Sequence, residues 1–207
     1  MSNVKKKNFV LKVILLGNGG VGKTCLMTQF VKGKFDENSF HTIGVEFLNK
    51  DLHTETANYT LQIWDTAGQE RFKSLRTPFY RGADLCILTF ALDDASSFRA
   101  LGEWKAEFLH YADVDSKEPF PFVVLGNKCD KERREVSSED ALQWLKSQNI
   151  SSSCYMETSA KEAMNVQEAF LMGVKTWAKL EQQRDKELDE DTVRIDHIRG
   201  ASSGGCC

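Results

Sequence analysis

The sequence predicts a three-layer α/β fold, a mostly parallel six-stranded sheet with one antiparallel strand and helices on both faces. Three observations carry this. The apolar runs at 13–16, 85–92 and 122–126 are short and nearly continuous, as in strands buried on both faces. Between them lie amphipathic stretches, such as Phe98, Leu101, Trp104 and Phe108, spaced to share one helical stripe. The order strand then helix repeats through the second half, the pattern of a parallel sheet with crossover helices.

In chain order, residues 9–16 read as the first strand, rich in β-branched side chains. A glycine-rich turn leads into a helix over 22–33 with Leu26, Phe30 and Val31 inward. Residues 34–44 lack periodicity and read as a loop with room to move. Segments 45–52 and 59–65 alternate, and polar residues 53–58 join them like a hairpin. Trp64 falls on the face opposite Tyr59, Leu61 and Ile63, so it is expected to point outward. A second mobile-looking stretch reaches Gly82. Next come a strand at 85–92, a helix at 97–111 and a strand at 122–126. Ser137 with Asp140 forms a capping-box pattern for a helix to 147, and 154–157 is the last strand. Asn165 with Glu168 is expected to cap a final helix bearing Val166, Phe170, Val174 and Trp177. Residues 182–207 are polar and acidic, then small, and are expected to be disordered. The chain thus divides into a domain over 1–181 and a tail over 182–207.

A chain of 207 residues suits one ordinary domain with a tail. Net charge of -3 and the lack of a basic stripe argue against nucleic acid as a partner. The six cysteines, at 25, 86, 129, 154, 206 and 207, show no paired metal-ligand spacing and read as reduced thiols of the cytosol. Lys5 to Lys7 before an apolar run faintly resembles a signal peptide, but Lys12 interrupts that run and no cleavage site follows. No stretch is long and apolar enough to span a membrane, and Ser2 removes the N-myristoylation pattern.

The chemistry starts at Gly17, Asn18, Gly19, Gly20, Val21, Gly22, Lys23 and Thr24, which match glycine, four residues, glycine, lysine and a hydroxyl residue between strand and helix. Glycines let successive amides approach a polyphosphate, and the helix turns its positive dipole end to the same anion. Lys23 would neutralise the β and γ phosphates, and the Thr24 hydroxyl would reach Mg2+. Asp65, ending a neighbouring strand, fits the acidic residue behind the Mg2+ water shell, and Gly68 would let its amide reach the γ phosphate. An Asp-Thr-Ala-Gly run is also compatible with a bare turn, but beside this cradle it points to a nucleoside triphosphatase. Asn127, Lys128 and Asp130 follow an apolar strand. The Asp130 carboxylate only accepts, so it suits the two donors on the edge of guanine and repels adenine. Asn127 would touch the ring and tie loops together, and the Lys128 stem would lie over the base. Alone these residues are weak evidence; with Ser159, Ala160 and Lys161 they form a pocket.

With these motifs and Thr42 in family order, the chain resembles a Ras-superfamily small GTPase, specifically a Rab, over about residues 8–180. The fold this implies is the P-loop NTPase G domain. The resemblance implies that Phe35 stacks edgewise on guanine, that Thr42 is the second Mg2+ hydroxyl, and that Ala160 gives a backbone N–H to the base. It also implies that Gln69 aligns the attacking water, that Cys25 joins the phosphate contacts, and that Gly19 cannot carry a side chain without loss of hydrolysis. Rab character rests on Ile43, Gly44, Val45, Glu46 and Phe47, on the run from Trp64 to Phe72, on Phe79 to Ala83, and on the terminal Cys206-Cys207 pair. Residues 41–52 and 74–84 are most similar to the Rab-nine branch, with the Rab-seven branch next. Two departures are visible: Phe79 stands where many Rabs place tyrosine, and Asn18 replaces a common acidic or serine residue.

The resemblance implies a membrane-trafficking switch that binds GTP and GDP with Mg2+, hydrolyses GTP slowly with Gln69 and Lys23 in catalytic roles, and recruits effectors in the GTP state. Phosphate loss would release residues 36–46 and 66–81, and with them the effector surface of Ile43, Phe47, Trp64 and Phe79. Implied partners are an exchange factor, a GTPase-activating protein, a GDP-dissociation inhibitor and an escort protein. Implied locations are the cytosol and the cytoplasmic face of late endosomes and the trans-Golgi network. The acidic tail is not drawn to an anionic leaflet, so prenylation of both Cys206 and Cys207 is expected to supply the anchor. A metabolic phosphotransferase would need an acceptor pocket or lid, and no insertion for one is visible. A nucleotide-locked scaffold is opposed by Gln69 and Gly19.

Overall fold

A computed structural model of the chain describes residues 6–36, 42, 44–69, 72–114 and 118–200, with 187–200 as backbone only. Its sheet is assembled on β1 (Lys7–Leu16), which leads into α1 (Lys23–Lys32). The hairpin expected next is present as β2 (Val45–His53) and β3 (Ala57–Thr66), paired antiparallel. β4 (Leu85–Ala91), β5 (Phe122–Asn127) and β6 (Tyr155–Thr158) follow, and the strand order is β2-β3-β1-β4-β5-β6 with every other pairing parallel.

Alternation along the central strands divides the core in two. Leu11, Val13 and Leu15 of β1, Leu85 and Ile87 of β4, and Val123 and Leu125 of β5 face α1 and the last helix, α6 (Val166–Gly200). There the rings of Phe30 and Phe170 stack at 3.9 Å and join the two helices. Ile14, Leu16, Cys86, Leu88, Phe90 and Val124 point the other way. They meet α4 (Leu101–Tyr111) and α5 (Ser138–Ser147) through Leu101, Phe108, Ala141 and Leu145. The described cysteines, 25, 86, 129 and 154, form no disulfide among the described residues, and burial raises the pKa of the Cys86 thiol well above its ordinary range.

Several expectations are corrected. The stretch after β3 is not all irregular: α2 (Lys73–Arg76) and a 3-10 turn (Thr77–Phe79) lie in it, and Arg76, Thr77 and Tyr80 are buried. The helix expected at 97–111 is two. Asp94 accepts from the amides of Ser96 (2.9 Å) and Ser97 (3.3 Å) and starts α3 (Ala95–Arg99) early; α4 begins after Ala100. Asn165 does not sit as an extended capping residue. Its φ is 58°, and its side-chain N–H donates to the Glu157 carbonyl at 2.8 Å. Last, α6 runs on to Gly200 where disorder was expected from 182. Residues 182–199 hold no Gly or Pro, and half of them are Glu, Gln, Lys, Arg or Leu, so nothing in this stretch breaks a helix where the apolar stripe stops.

The capping box at Ser137 and Asp140 is formed as expected. Trp64 is half-buried rather than turned out to solvent, packed against the second cluster. Cys154 belongs to a 3-10 turn (Ser152–Cys154) that precedes β6.

Candidate functional site

The glycine loop leaves the end of β1 and enters α1 at Gly22, which has φ 96°. A Cβ there would lie 2.3 Å from Asn127 Nδ2, so the loop and the base motif meet only because position 22 is glycine. Lys23, 6% exposed, donates from Nζ to the carbonyls of Gly17 (2.7 Å) and Asn18 (3.0 Å). Burial pulls its amine down to about 8, against the opposing charge of Asp65.

Beside it three oxygens converge. Thr24 Oγ1 and Thr42 Oγ1 lie 2.7 Å apart, and both donate to Asp65 Oδ2, at 2.5 and 3.2 Å. Asp65 is fully buried, and its Oδ1 has no hydrogen-bond partner among the described residues. Burial raises its carboxyl above the ordinary range, with Lys23 and the two hydroxyls pulling the other way. A carboxylate oxygen left bare in the interior is costly, and two hydroxyls with one carboxylate form a hard oxygen set of the kind Mg2+ takes. The residues present fit that ion.

At the phosphate end, a Cβ on Gly68 would lie 2.4 Å from the Asn18 carbonyl carbon and the Gly19 nitrogen, so this backbone rests directly on the loop. A Cβ on Gly19 would touch Gln69 Cγ at 3.5 Å, which places Gln69 where a larger residue at 19 would push on it. Sequence reasoning missed what holds this segment from behind. Arg76, 3% exposed, donates from Nη1 to the Gln69 carbonyl at 2.8 Å. Glu107 of α4 takes its Nε (2.9 Å) and Nη2 (3.1 Å), along with the Tyr80 hydroxyl (2.9 Å) and Lys73 (3.3 Å). No local pattern marks Arg76, since a lone arginine in a polar stretch ordinarily lies in solvent.

At the base end, Asn127 is buried and ties three pieces together. Its Nδ2 donates to the Val21 carbonyl at 2.8 Å, and its Oδ1 accepts from Thr158 Oγ1 (3.2 Å) and the Ala160 amide (3.3 Å). Ser159 Oγ donates to Asp130 Oδ1 at 2.6 Å and so aligns the exposed carboxylate. Lys128 takes a left-handed backbone (φ 66°), and its Nζ stands 3.6 Å from Asp93. Glu157 of β6 gathers Arg134, Ser138 Oγ (2.8 Å) and the Tyr155 hydroxyl (3.0 Å). Lys161 lies exposed just beyond, Gly20 lies exposed in the loop, and Cys25 is half-buried at the start of α1. Phe35 is half-buried against the α1 and α6 cluster.

On the adjoining surface, the Trp64 ring lies 4.8 Å from Phe47 and 5.3 Å from Phe79, one continuous aromatic face across β2, β3 and the 3-10 turn. Ile43, Cys206 and Cys207 lie outside the described residues.

A strand feeding a glycine loop into a helix, beside a buried aspartate and two threonine hydroxyls, is how a P-loop nucleoside triphosphatase is built. Comparison with known proteins goes further. The model of the Ras family matches residues 12–179. The chain is 53% identical over 201 residues to Ras-related protein Rab-9A of Homo sapiens, covering 97% of this chain and 98% of that one. It is 54% identical over 202 residues to Ras-related protein Rab-9B of Mus musculus, with the same coverage. The chain belongs to the Ras family, and within it to the Rab GTPases near the Rab-9 branch. It is a GTP hydrolase and a switch in membrane trafficking, of a family that generally uses Mg2+ and works with exchange factors, activating proteins, dissociation inhibitors and effectors.

Proposed function

We propose that the protein binds GTP and GDP with Mg2+ across this site and, in the GTP form, recruits effectors for transport from late endosomes to the trans-Golgi network. The observation that carries the site assignment is the convergence of Thr24, Thr42 and Asp65 with one carboxylate oxygen unpartnered. Thr24 and Thr42 would hold the ion, and Asp65 would hold its water shell. When bound, Mg2+ neutralises charge on the β and γ phosphates.

The amides from Asn18 through Cys25 would line the phosphates, and Lys23 Nζ would exchange two carbonyl partners for phosphate oxygens. The Gly68 amide would meet the γ phosphate, and Gln69 would orient water. Asn127, Lys128, Asp130, Ser159, Ala160, Lys161 and Phe35 would hold guanine. A cavity of about 630 Å³ flanks Asn18 and Gln69 on the side of α4, and it gives an activating partner an approach to the γ phosphate.

Ile43, Phe47, Trp64 and Phe79 would present the effector face. Phe79 keeps the apolar ring and drops the hydroxyl common at its place, which would bias effector choice toward apolar partners. No described helix is long and apolar enough to cross a membrane. The attachment we propose is prenylation of Cys206 and Cys207, at the end of a tail that begins after the catalytic domain.

Thr24→Asn tests the site. Its affinity for GTP with Mg2+ should fall more than its affinity for GDP, measured by nucleotide competition. Equal losses for both nucleotides would overturn the metal assignment.

A further inference from the structure

The phosphate loop and the segment after β3 are joined through α4, which is distant from both in sequence. The Asn18 side chain, one of the two departures from family usage, accepts a hydrogen bond at Oδ1 from Trp104 Nε1 at 2.8 Å. Trp104 lies on the inward stripe of α4 and is 7% exposed. The same indole carries Arg76, whose guanidinium carbon sits 4.4 Å from the ring centroid. Arg76 is gripped by Glu107, three residues along the same helix face, and donates to the carbonyls of Gln69 (2.8 Å) and Ala67 (3.4 Å).

We infer that Trp104 is a positioning residue for GTP hydrolysis, tying Asn18 of the phosphate loop to Arg76 and, through Arg76, to the backbone of Gln69. The inference rests on the proposed role of Gln69 and deepens it.

Packing alone asks for none of these polar contacts, because a buried stripe of α4 is satisfied by any large apolar ring. What the indole adds is a rigid body with two different attachments. Its N–H fixes the loop, and its face fixes the guanidinium, so the two walls that meet at Gly68 and Gly19 are referenced to one side chain. Gln69 can align water only if its backbone keeps its place against the loop. Displacements near 1 Å at such a position slow the reaction out of proportion to the strength of the hydrogen bond that prevents them.

The test uses the full-length protein preloaded with GTP and Mg2+, without an activating partner. Single-turnover hydrolysis, GDP dissociation and thermal unfolding are measured for Trp104→Phe, Asn18→Ala, the double variant and Gln69→Ala. Trp104→Phe deletes the N–H donor and leaves an aromatic face beneath Arg76. Hydrolysis should fall roughly fivefold, on the order of one hydrogen bond's worth, while GDP dissociation stays within about twofold. Asn18→Ala should also slow hydrolysis, and the double variant should be no slower than the slower single variant, as for two ends of one interaction.

If Trp104→Phe does not fold, a parent-like hydrolysis rate in Asn18→Ala overturns the inference, and a slowed rate with unchanged GDP dissociation supports it. Hydrolysis at the parent rate in a folded Trp104→Phe, with Gln69→Ala slow, overturns the inference alone. Slower hydrolysis together with faster GDP dissociation and a lower unfolding temperature would show a purely structural role and overturn it as well. A Gln69→Ala protein that hydrolyses at the parent rate overturns both this inference and the role of Gln69 beneath it.

Discussion

At the base end of the site, Glu157 collects Arg134, Ser138 and Tyr155, with the Arg134 and Glu157 side chains 39% and 24% exposed. At the phosphate end, Glu107 collects Arg76, Tyr80 and Lys73, with Arg76 only 4% and Glu107 11% exposed. The two clusters use the same chemistry at different depths, and depth sets their worth. An ion pair open to water contributes about 0–1 kcal/mol, whereas stripping one partner from a buried pair costs about 3–5 kcal/mol. They also hold different things. Glu157 lies in β6, already fixed by its ladder with β5, while Glu107 retains a segment that otherwise rests on the loop at Gly68. The base end is rigid because the sheet makes it so. The other end is held by side chains, so it can part from the loop without breaking a strand ladder.

The sharpest test of that contrast is Asp130→Asn. An amide there offers a donor to the additional carbonyl of xanthine, so preference should move from guanine toward xanthine nucleotides by about 10³-fold, read by competition binding, with unfolding unchanged. Retained selectivity for GTP would break the assignment of the rigid end.

Next in size, Arg76→Ala should lower unfolding free energy by about 3 kcal/mol, and Arg134→Ala by less than about 1 kcal/mol, from urea midpoints. Equal losses would erase the difference in depth.

Gly68→Ala should cost about 1–3 kcal/mol, since its Cβ would meet loop backbone rather than a movable side chain, and it should weaken GTP more than GDP. A parent-like GTP to GDP affinity ratio would show that this contact does not read the third phosphate.

The smallest effect is in acid. Burial acts to raise the Glu107 carboxyl, but the bonds and charge of Arg76, with Tyr80 and Lys73, outweigh it and hold it below the ordinary range. Its folded value is therefore depressed, so its contribution is complete above the unfolded value of 4.5 and is lost as pH falls through the folded one. Glu107→Gln should flatten the decline of stability between about pH 5 and 3 by a few tenths of a kcal/mol more than Glu157→Gln does. The reverse order would contradict the comparison.

Much of this is legible in the sequence because local rules and tertiary needs agree. The apolar runs of β1, β4 and β5 are buried on both faces, and the Ser137–Asp140 box opens α5 where the pattern places it. The placement of Asn127 and Asp130 is legible for the same reason, since one ends β5 and the other follows three residues on. What escapes depends on contacts that no local rule describes. Asp94 escapes because an early cap competes with a longer apolar stripe, so α3 and α4 read as one helix. The stripe places Trp104 in the core, but periodicity cannot say that its N–H meets a residue 86 positions away. Arg76 and Glu107 reveal themselves only once the fold has removed both from water.

Cys86 gives the molecule an internal clock. It lies in β4 between β1 and β5 with no measurable surface, and its thiol resists ionisation. An alkylating reagent reaches that sulfur only when neighbouring strands part, so its rate of capture counts full openings of the sheet and not the looser motions of its edges. Timed at Cys86 with GDP or with a GTP analogue bound, that rate would register how much each ligand adds to the holding of the whole structure.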